Sequence, residues 1–465
     1  MTRVFVGSAV LGLALSIGAI GAQEPSLGDA TAARRAAFSR ALPQGIAIIQ
    51  SADRGQPNLY EFFVPTTEHH DFQYLTGMDR AAPPGSVLVL NPRGSTYREI
   101  LYTSDPVDAV RLQTGIAHVF PHQLFLEHLS SALTDFRNLR ITQQRFKPVA
   151  SDISRGWADG PKTIYFNYPR FTNLNEPSNP RLAVLSRLRE ASPEIDMRDA
   201  GDLLDGQRMI HDAYGLAQLR RAIEITGRGL IAVMRLVRPG MTTREAVETL
   251  EFTYRLNGAS LGFPTGVQSG RQGAQSFATA REEMEEREGS RVIRDGDMVW
   301  FDTGAAYRFY SADIQRQIPA NGRFSPEQRQ LYDIVANVQK TVISRLRPGV
   351  TWNELHEVAV TMLRDAGGLD QSYTYGIGHF IGMDVHDHGD YVRPLRPGMV
   401  IAIEQGAVRN GLRIAFEDDV LVTERGHEWL TRFIPIDIAE LEKLKTEPPA
   451  FDPLKLLVRP GPRPR

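Results

Sequence analysis

Between residues 30 and 205, apolar positions come in short runs separated by polar turns. Residues 45–50 (GIAIIQ), 86–90 (SVLVL) and 100–103 (ILYT) have strand length and read as buried strands. Residues 182–188 read as a helix, and the alternation predicts an α/β layer domain with a largely buried sheet. The pattern changes near Gly201-Asp202. Residues 213–238 place Leu216, Leu219, Ile223, Thr226 and Leu230 at helical spacing, which predicts a long amphipathic helix and a domain boundary near 205.

Beyond that boundary the chain repeats itself. RLVRPGMTTREAVE at 235–248 is echoed by RLRPGVTWNELHEV at 345–358. Each copy ends one helix at Pro-Gly and opens the next with a capping box, Thr242-x-x-Glu245 or Thr351-x-x-Glu354. Two tandem αα-then-β units predict a pseudo-twofold domain with its site where the halves meet. His356 lies inside the second copy and reads as a surface or packing residue.

Chemistry enters with residues 299–313 (VWFDTGAAYRFYSAD), an apolar strand run into Asp302, a Gly-Ala-Ala bend, and a return to Asp313. A carboxylate ending a buried apolar run is costly unless a cation or donors satisfy it. Across a hairpin these two can face one site. Three further candidates occupy similar settings: His379 among glycines (GIGHFIG), Glu404 after the run 399–403, and Glu417 before Asp418-Asp419 and the run 420–423. Four carboxylates and one imidazole suit hard or borderline divalent ions, manganese first, with cobalt and zinc open. They neutralise two such ions, leaving a net-neutral site that can hold a bridging hydroxide for two-metal hydrolysis.

Composition narrows the field. At 465 residues the chain can form two or three domains, and 42% hydrophobic with 23% charged residues is ordinary for a soluble enzyme. A net charge of -2 gives no case for nucleic acid. The absence of cysteine removes disulfides, thiolate metal sites and cysteine nucleophiles. Arg3, the apolar run 4–20 and Gly21-Ala22 read as an export signal (residues 1–22), so the mature chain is expected to be secreted or periplasmic, with no other membrane segment. His69-His70 read as polar loop residues rather than ligands, REEMEERE at 281–288 as a solvated excursion, and the proline-rich 446–465 as a disordered tail. There is no Gly-x-Ser-x-Gly elbow and no Walker-type loop, and Gly376-x-Gly378 lacks the rest of a dinucleotide fingerprint.

The order Asp302, Asp313, His379, Glu404, Glu417 resembles that of the pita-bread metallopeptidases, which include aminopeptidase P, prolidase and methionine aminopeptidase. The match runs over residues 213–424 and is strongest in FDTGA, SADIQR, GIGHFIGMDVHD and EDDVLVTE. The front half, including DFQYLTG, is similar to the N-terminal domain of aminopeptidase P, prolidase and creatinase. The resemblance implies an α/β (α+β) chain: a creatinase/prolidase-like α/β domain at 23–205, then a pita-bread catalytic domain at 206–445. It implies a secreted dinuclear Xaa-Pro aminopeptidase, acting through a metal-bridging hydroxide on peptides with proline second; oligomerisation is left open. Asp302 would chelate one metal, His379 and Glu404 would hold the other, and Asp313 and Glu417 would bridge. Glu404 would also accept the proton of the attacking water, and His386 would contact the substrate. His388 matches nothing and reads as structural.

Four departures from that pattern surround the ligands. Phe277 stands where the family has a histidine before the first aspartate, and Tyr375 replaces a second histidine four residues before His379. Glu-Pro-Gly becomes Glu404-Gln405-Gly406. Arg-Ile-Glu becomes Arg413-Ile-Ala-Phe-Glu417, by two extra residues or with Ala415 in the arginine position. Phe277, Tyr375 and Arg413 thus mark substrate-contacting positions in altered form. Single donors of this kind are typically worth about 10²–10³ in rate. Three outcomes follow: a weak peptidase, one of shifted specificity, or a metal- and peptide-binding module without turnover. If the lost histidine limits turnover, Phe277→His, alone or with Tyr375→His, is expected to raise Xaa-Pro cleavage. No gain in kcat/KM from either variant would refute this account.

Overall fold

The computed structural model describes residues 26–51, 70–78, 83, 85–134, 148–158, 160–168, 182–270, 291–373 and 376–449. Residues 1–22, Phe277, the 281–288 run, Tyr375 and the tail from 450 lie outside the described residues.

The first half is built on a six-stranded mixed sheet with the order β4-β3-β2-β1-β5-β6. The strands are β1 (Ile46–Gln50), β2 (Val87–Leu90), β3 (Glu99–Thr103), β4 (His118–Pro121), β5 (Thr163–Phe166) and β6 (Asp196–Asp199). The continuous apolar runs have a simple cause. Ile46 and Ile48 join Val87, Val89 and Ile164 in one core, while Ala47 and Ile49 join Leu88 and Leu90 in the other. A sheet buried on both faces has no polar side to alternate with.

The second half opens with the helix Ala213–Leu236, whose cap Asp212 accepts a hydrogen bond from the Gly215 N–H. The repeat is realised as two helix pairs: Ala213–Leu236 with Thr243–Leu256, and Pro326–Arg345 with Trp352–Asp365. Both expected capping boxes are formed. The strands are β7 (Ser260–Leu261), β8 (Gly266–Ser269), β9 (Met298–Thr303), β10 (Ala305–Tyr307), β11 (Tyr310–Ser311), β12 (Ile314–Pro319), β13 (Gly378–Phe380), β14 (Val400–Arg409), β15 (Leu412–Val422) and β16 (His427–Trp429). The main sheet has the order β13-β14-β15-β12-β9-β8, every pair in it antiparallel, and β16 adds to β15. β9 and β12 form the expected hairpin, with Asp302 opposite Gln315.

Antiparallel partners point to the same face. One face of this sheet carries Val299, Phe301, Ile314, Ile401, Ile403 and Phe416 into the core. That face also holds a fully buried ion pair, Arg316 Nη2 to Asp418 Oδ1 at 2.5 Å, with Gln339 of the helix Pro326–Arg345 donating to Asp418 Oδ2 at 2.9 Å. The other face carries the acids.

A buried ionic cluster ties the two halves together. His70, expected as a loop residue, instead opens the helix His70–Thr76, is buried, and pairs with Asp384. Its neighbour Asp71 accepts from Arg208 Nη1 at 2.9 Å. The same guanidinium reaches Asp384 at 2.5 Å and Asp387 at 2.8 Å through Nη2. Arg208 ends the helix Gly201–Arg208, which spans the expected boundary at 205. Removing one partner of a buried charge cluster costs about 3–5 kcal/mol, because the remaining charges stay uncompensated. Arg208→Met is expected to lower unfolding free energy by about that amount. Urea denaturation checks it, and a loss below about 1 kcal/mol, the range of exposed pairs, would contradict it.

Candidate metal centre

The acids occupy two adjacent rows on one face of the sheet. In the first row Asp302 pairs with Gln315, Gln315 with Glu417, and Glu417 with Glu404, across β9, β12, β15 and β14. In the second, His379 pairs with Ala402 and Ala402 with Asp419. Asp313, two residues before Gln315, meets Asp419, its N–H donating to Oδ2 at 3.3 Å. A period of two along each strand therefore puts all five candidates on one surface, one step apart.

The ligand atoms of Asp313, His379 and Glu417 lie within 4.8 Å of one another. His379 Nε2 is 3.2 Å from Glu417 Oε1 and 3.5 Å from Asp313 Oδ2. Its Nδ1 is 3.0 Å from the Phe380 carbonyl, which can only accept, so Nδ1 carries a proton and Nε2 is the atom aimed at the acids. Glu404 and Asp302 stand outside that trio, in the first row. Glu404 is linked to it by Gln315, whose Nε2 lies 3.2 Å from Glu404 Oε2 and 2.8 Å from Glu417 Oε2. Gly378 brings His379 this close: its φ is 135°, and a Cβ there would sit 1.9 Å from the Ala402 carbonyl oxygen.

The electrostatics call for cations. Burial and the charge of Glu417 push the Glu404 carboxyl up to about 7. Burial and the charge of Asp313 do the same for Glu417, also to about 7. Burial raises Asp313 too, although hydrogen bonding to His379 opposes it. Asp419 is pushed well up by burial and the charge of Asp313. His379 is held well above its usual range: burial disfavours its charge, but the bonds to Asp313 and Glu417 outweigh that. Asp313 Oδ1 and Asp419 Oδ1 are buried with no hydrogen-bond partner among the described residues. Oxygens crowded on one face, partly unpartnered and reluctant to ionise, fit a divalent cation's oxygen-rich ligand set.

His386 lies at the edge of this surface, its ring 4.1 Å from that of His379. Loss of hydration and the neighbouring His379 charge push its pKa down, so it is neutral. The loop that carries it is wound on Asp387, whose Oδ2 accepts from Met383 N–H at 2.8 Å and whose Oδ1 accepts from His388 N–H at 2.7 Å. At Gly382 a Cβ would fall 2.2 Å from Asp387 Oδ2, so a side chain there would push that carboxylate out of place. Asp384, Asp387 and His388 also lie within 4.8 Å of one another, but there the Arg208 guanidinium already supplies the positive charge. His388 pairs with Asp205 at 3.5 Å, and His356 stacks on Tyr373, which gives both a structural place.

The open question in β15 has a clear answer. β14 and β15 pair without interruption from Val400↔Leu421 to Arg409↔Leu412, turning at Asn410-Gly411. No residue is looped out, so Ala415 occupies the position two before Glu417. Arg413 lies two residues further along the same face, buried, with its guanidinium 5.1 Å over the Trp300 ring. Sequence reasoning missed Gln315, Asp419 and the Arg208 cluster. Gln315 and Asp419 each left a local sign, a spacing of two from Asp313 and from Glu417.

Comparison with known proteins agrees with this geometry. Residues 217–424 match the model of metallopeptidase family M24, and residues 31–119 that of the aminopeptidase P N-terminal domain. The chain is 30% identical over 422 residues to the Xaa-Pro aminopeptidase of Escherichia coli strain K12, covering 82% of this chain and 89% of that one. It is 29% identical over 447 residues to the mitochondrial intermediate cleaving peptidase 55 of Arabidopsis thaliana, covering 88% and 81%. The structure of Pseudomonas aeruginosa aminopeptidase PepP superposes with a TM-score of 0.70 at 27% identity, over 90% of this chain and 97% of that one. The chain belongs to metallopeptidase family M24. It is a metallo-aminopeptidase of the pita-bread fold with an aminopeptidase P N-terminal domain, as the ligand order implies.

The raised carboxyls set a pH dependence. Glu404 and Glu417 move from an ordinary 4.5 to about 7, so the metal-free folded protein binds protons that the unfolded chain has released. Their stabilising contribution is full below the unfolded value and is lost as pH rises through about 7, and the raised His379 has the same sign. The Tm of metal-free protein is expected to fall between about pH 5 and about pH 8, and to fall less when metal is bound. Thermal unfolding with chelator or with manganese checks this. A metal-free Tm that rises across the window would contradict it.

Proposed function

We propose that this chain is an exported Xaa-Pro aminopeptidase that removes the N-terminal residue from peptides with proline in the second position. The observation that carries the reading is the pair of ligand rows, which sets four acids and one histidine on a single buried surface. Asp302 would chelate one divalent ion, His379 and Glu404 the other, with Asp313 and Glu417 shared between them. Manganese suits this oxygen-rich set best. Bound there, the ions would supply Lewis acidity, lowering the pKa of water and polarising the scissile carbonyl.

The chain's own residues do the rest. Glu404 would take the proton of the attacking water, a role open to a carboxylate beside the bound ions. His386, neutral and beside His379, offers an imidazole to orient the peptide. Binding of Xaa-Pro substrates is supported by the named relatives and by the N-terminal aminopeptidase P domain. We divide the chain into an export signal (1–22), an N-terminal domain (23–205), the peptidase domain (206–445) and a tail (446–465), with the mature protein periplasmic or secreted.

The test uses protein recovered from the periplasm or medium, where the N-terminus is expected at Gln23. With manganese and a panel of Xaa-Pro dipeptides and longer peptides, release of the N-terminal residue is expected. Asp313→Ala is expected to lose bound metal and more than about 100-fold of kcat, beyond the range typical of outer-shell partners. Metal and peptide binding without cleavage of any substrate would overturn the peptidase reading and leave a binding module.

A further inference from the structure

We propose that Gln315 is a positioning residue of this centre: its carboxamide, oriented by the Trp300 indole, clamps Glu404 and Glu417 at their shared register. The inference rests on the metal-centre reading above. Gln315 sits in the middle of the first row, between Asp302 on one neighbouring strand and Glu417 on the other. Its side chain is 2% exposed and bonded at both ends. Nε2 reaches Glu404 at 3.2 Å and Glu417 at 2.8 Å, while Oε1 accepts from Trp300 Nε1 at 3.3 Å.

Chemistry permits only one orientation of this amide. An indole N–H donates and never accepts, so the oxygen must face Trp300. Ionised carboxylates accept and never donate, so the NH₂ group must face the glutamates, and its two hydrogens match two acceptors. Each glutamate is thereby tied through Oε2, and the Oε1 of Glu417 is left turned toward His379. The ring of Trp300 is 1% exposed and lies beneath the Arg413 guanidinium. Arg413, Trp300 and Gln315 thus form a continuous support running to the carboxylates. It starts from the arginine that β15 places two residues beyond the family position.

The test is titration of metal-free protein with manganese by calorimetry, and with cobalt followed by visible absorption. Gln315→Met keeps the length and removes the donors; Trp300→Phe keeps an aromatic side chain and removes the N–H together with the five-membered part of the indole. Gln315→Met is expected to bind manganese about 10–100-fold more weakly, as outer-shell partners of ligands typically do. Its saturated cobalt spectrum should also shift, which a loss of global stability alone would not produce. Trp300→Phe is expected to weaken binding in the same direction but less. The double variant should bind no more weakly than Gln315→Met, because both act through one path. Wild-type affinity and an unchanged cobalt spectrum in Gln315→Met would overturn the inference. If that variant does not fold, unchanged binding by Trp300→Phe does so instead. Wild-type protein that takes up neither manganese nor cobalt would overturn the metal-centre reading and this inference with it.

Discussion

Crowding of buried acids on one face of a single sheet is the constraint on which the rest of this structure depends. Asp302, Glu417 and Glu404 share a row, with Asp313 and Asp419 one step away. Burial alone makes each charge expensive, and mutual repulsion adds to the cost. Among the described residues, His379, the Gln315 amide and the charge of Arg413 oppose this. The remaining imbalance is what a pair of dications would remove, so metal binding and the stability of this face are one problem.

The opposite face shows how the sheet bears that imbalance. There Arg316 and Asp418 neutralise one another in full burial, and Gln339 and Thr431 complete the bonds to Asp418. Apolar side chains of the helix Pro326–Arg345 pack over the same surface. Charge is closed on the helix side and left open on the site side, while backbone ladders hold both in register. The N-terminal half contributes through Asp71, which shares the Arg208 guanidinium with the two aspartates of the His386 loop. The loop that carries His386 is thereby tied, through Arg208, to Asp71 of the N-terminal half.

The departures from the family pattern fall around the acids and not among them. Arg413 packs on Trp300, from which a hydrogen bond leads to Gln315 and on to both glutamates.

The local pattern alone determined a good deal. The β9–β12 hairpin, both capping boxes, the helical repeat and the five ligand candidates follow from spacing of two or 3.6 residues and from acids ending apolar runs. These are local rules, and a single chain suffices to read them. Strand neighbours and register belonged to the tertiary structure. Only pairing across β9, β12, β15 and β14 could make Gln315 the partner of Glu404, 89 residues away. Only docking of the two halves could make His70, read as a loop residue before DFQYLTG, and Asp71, the first residue of that segment, partners of Asp384 and Arg208. Such contacts are set by long-range packing, for which neither hydrophobic period nor spacing along the chain carries a signal.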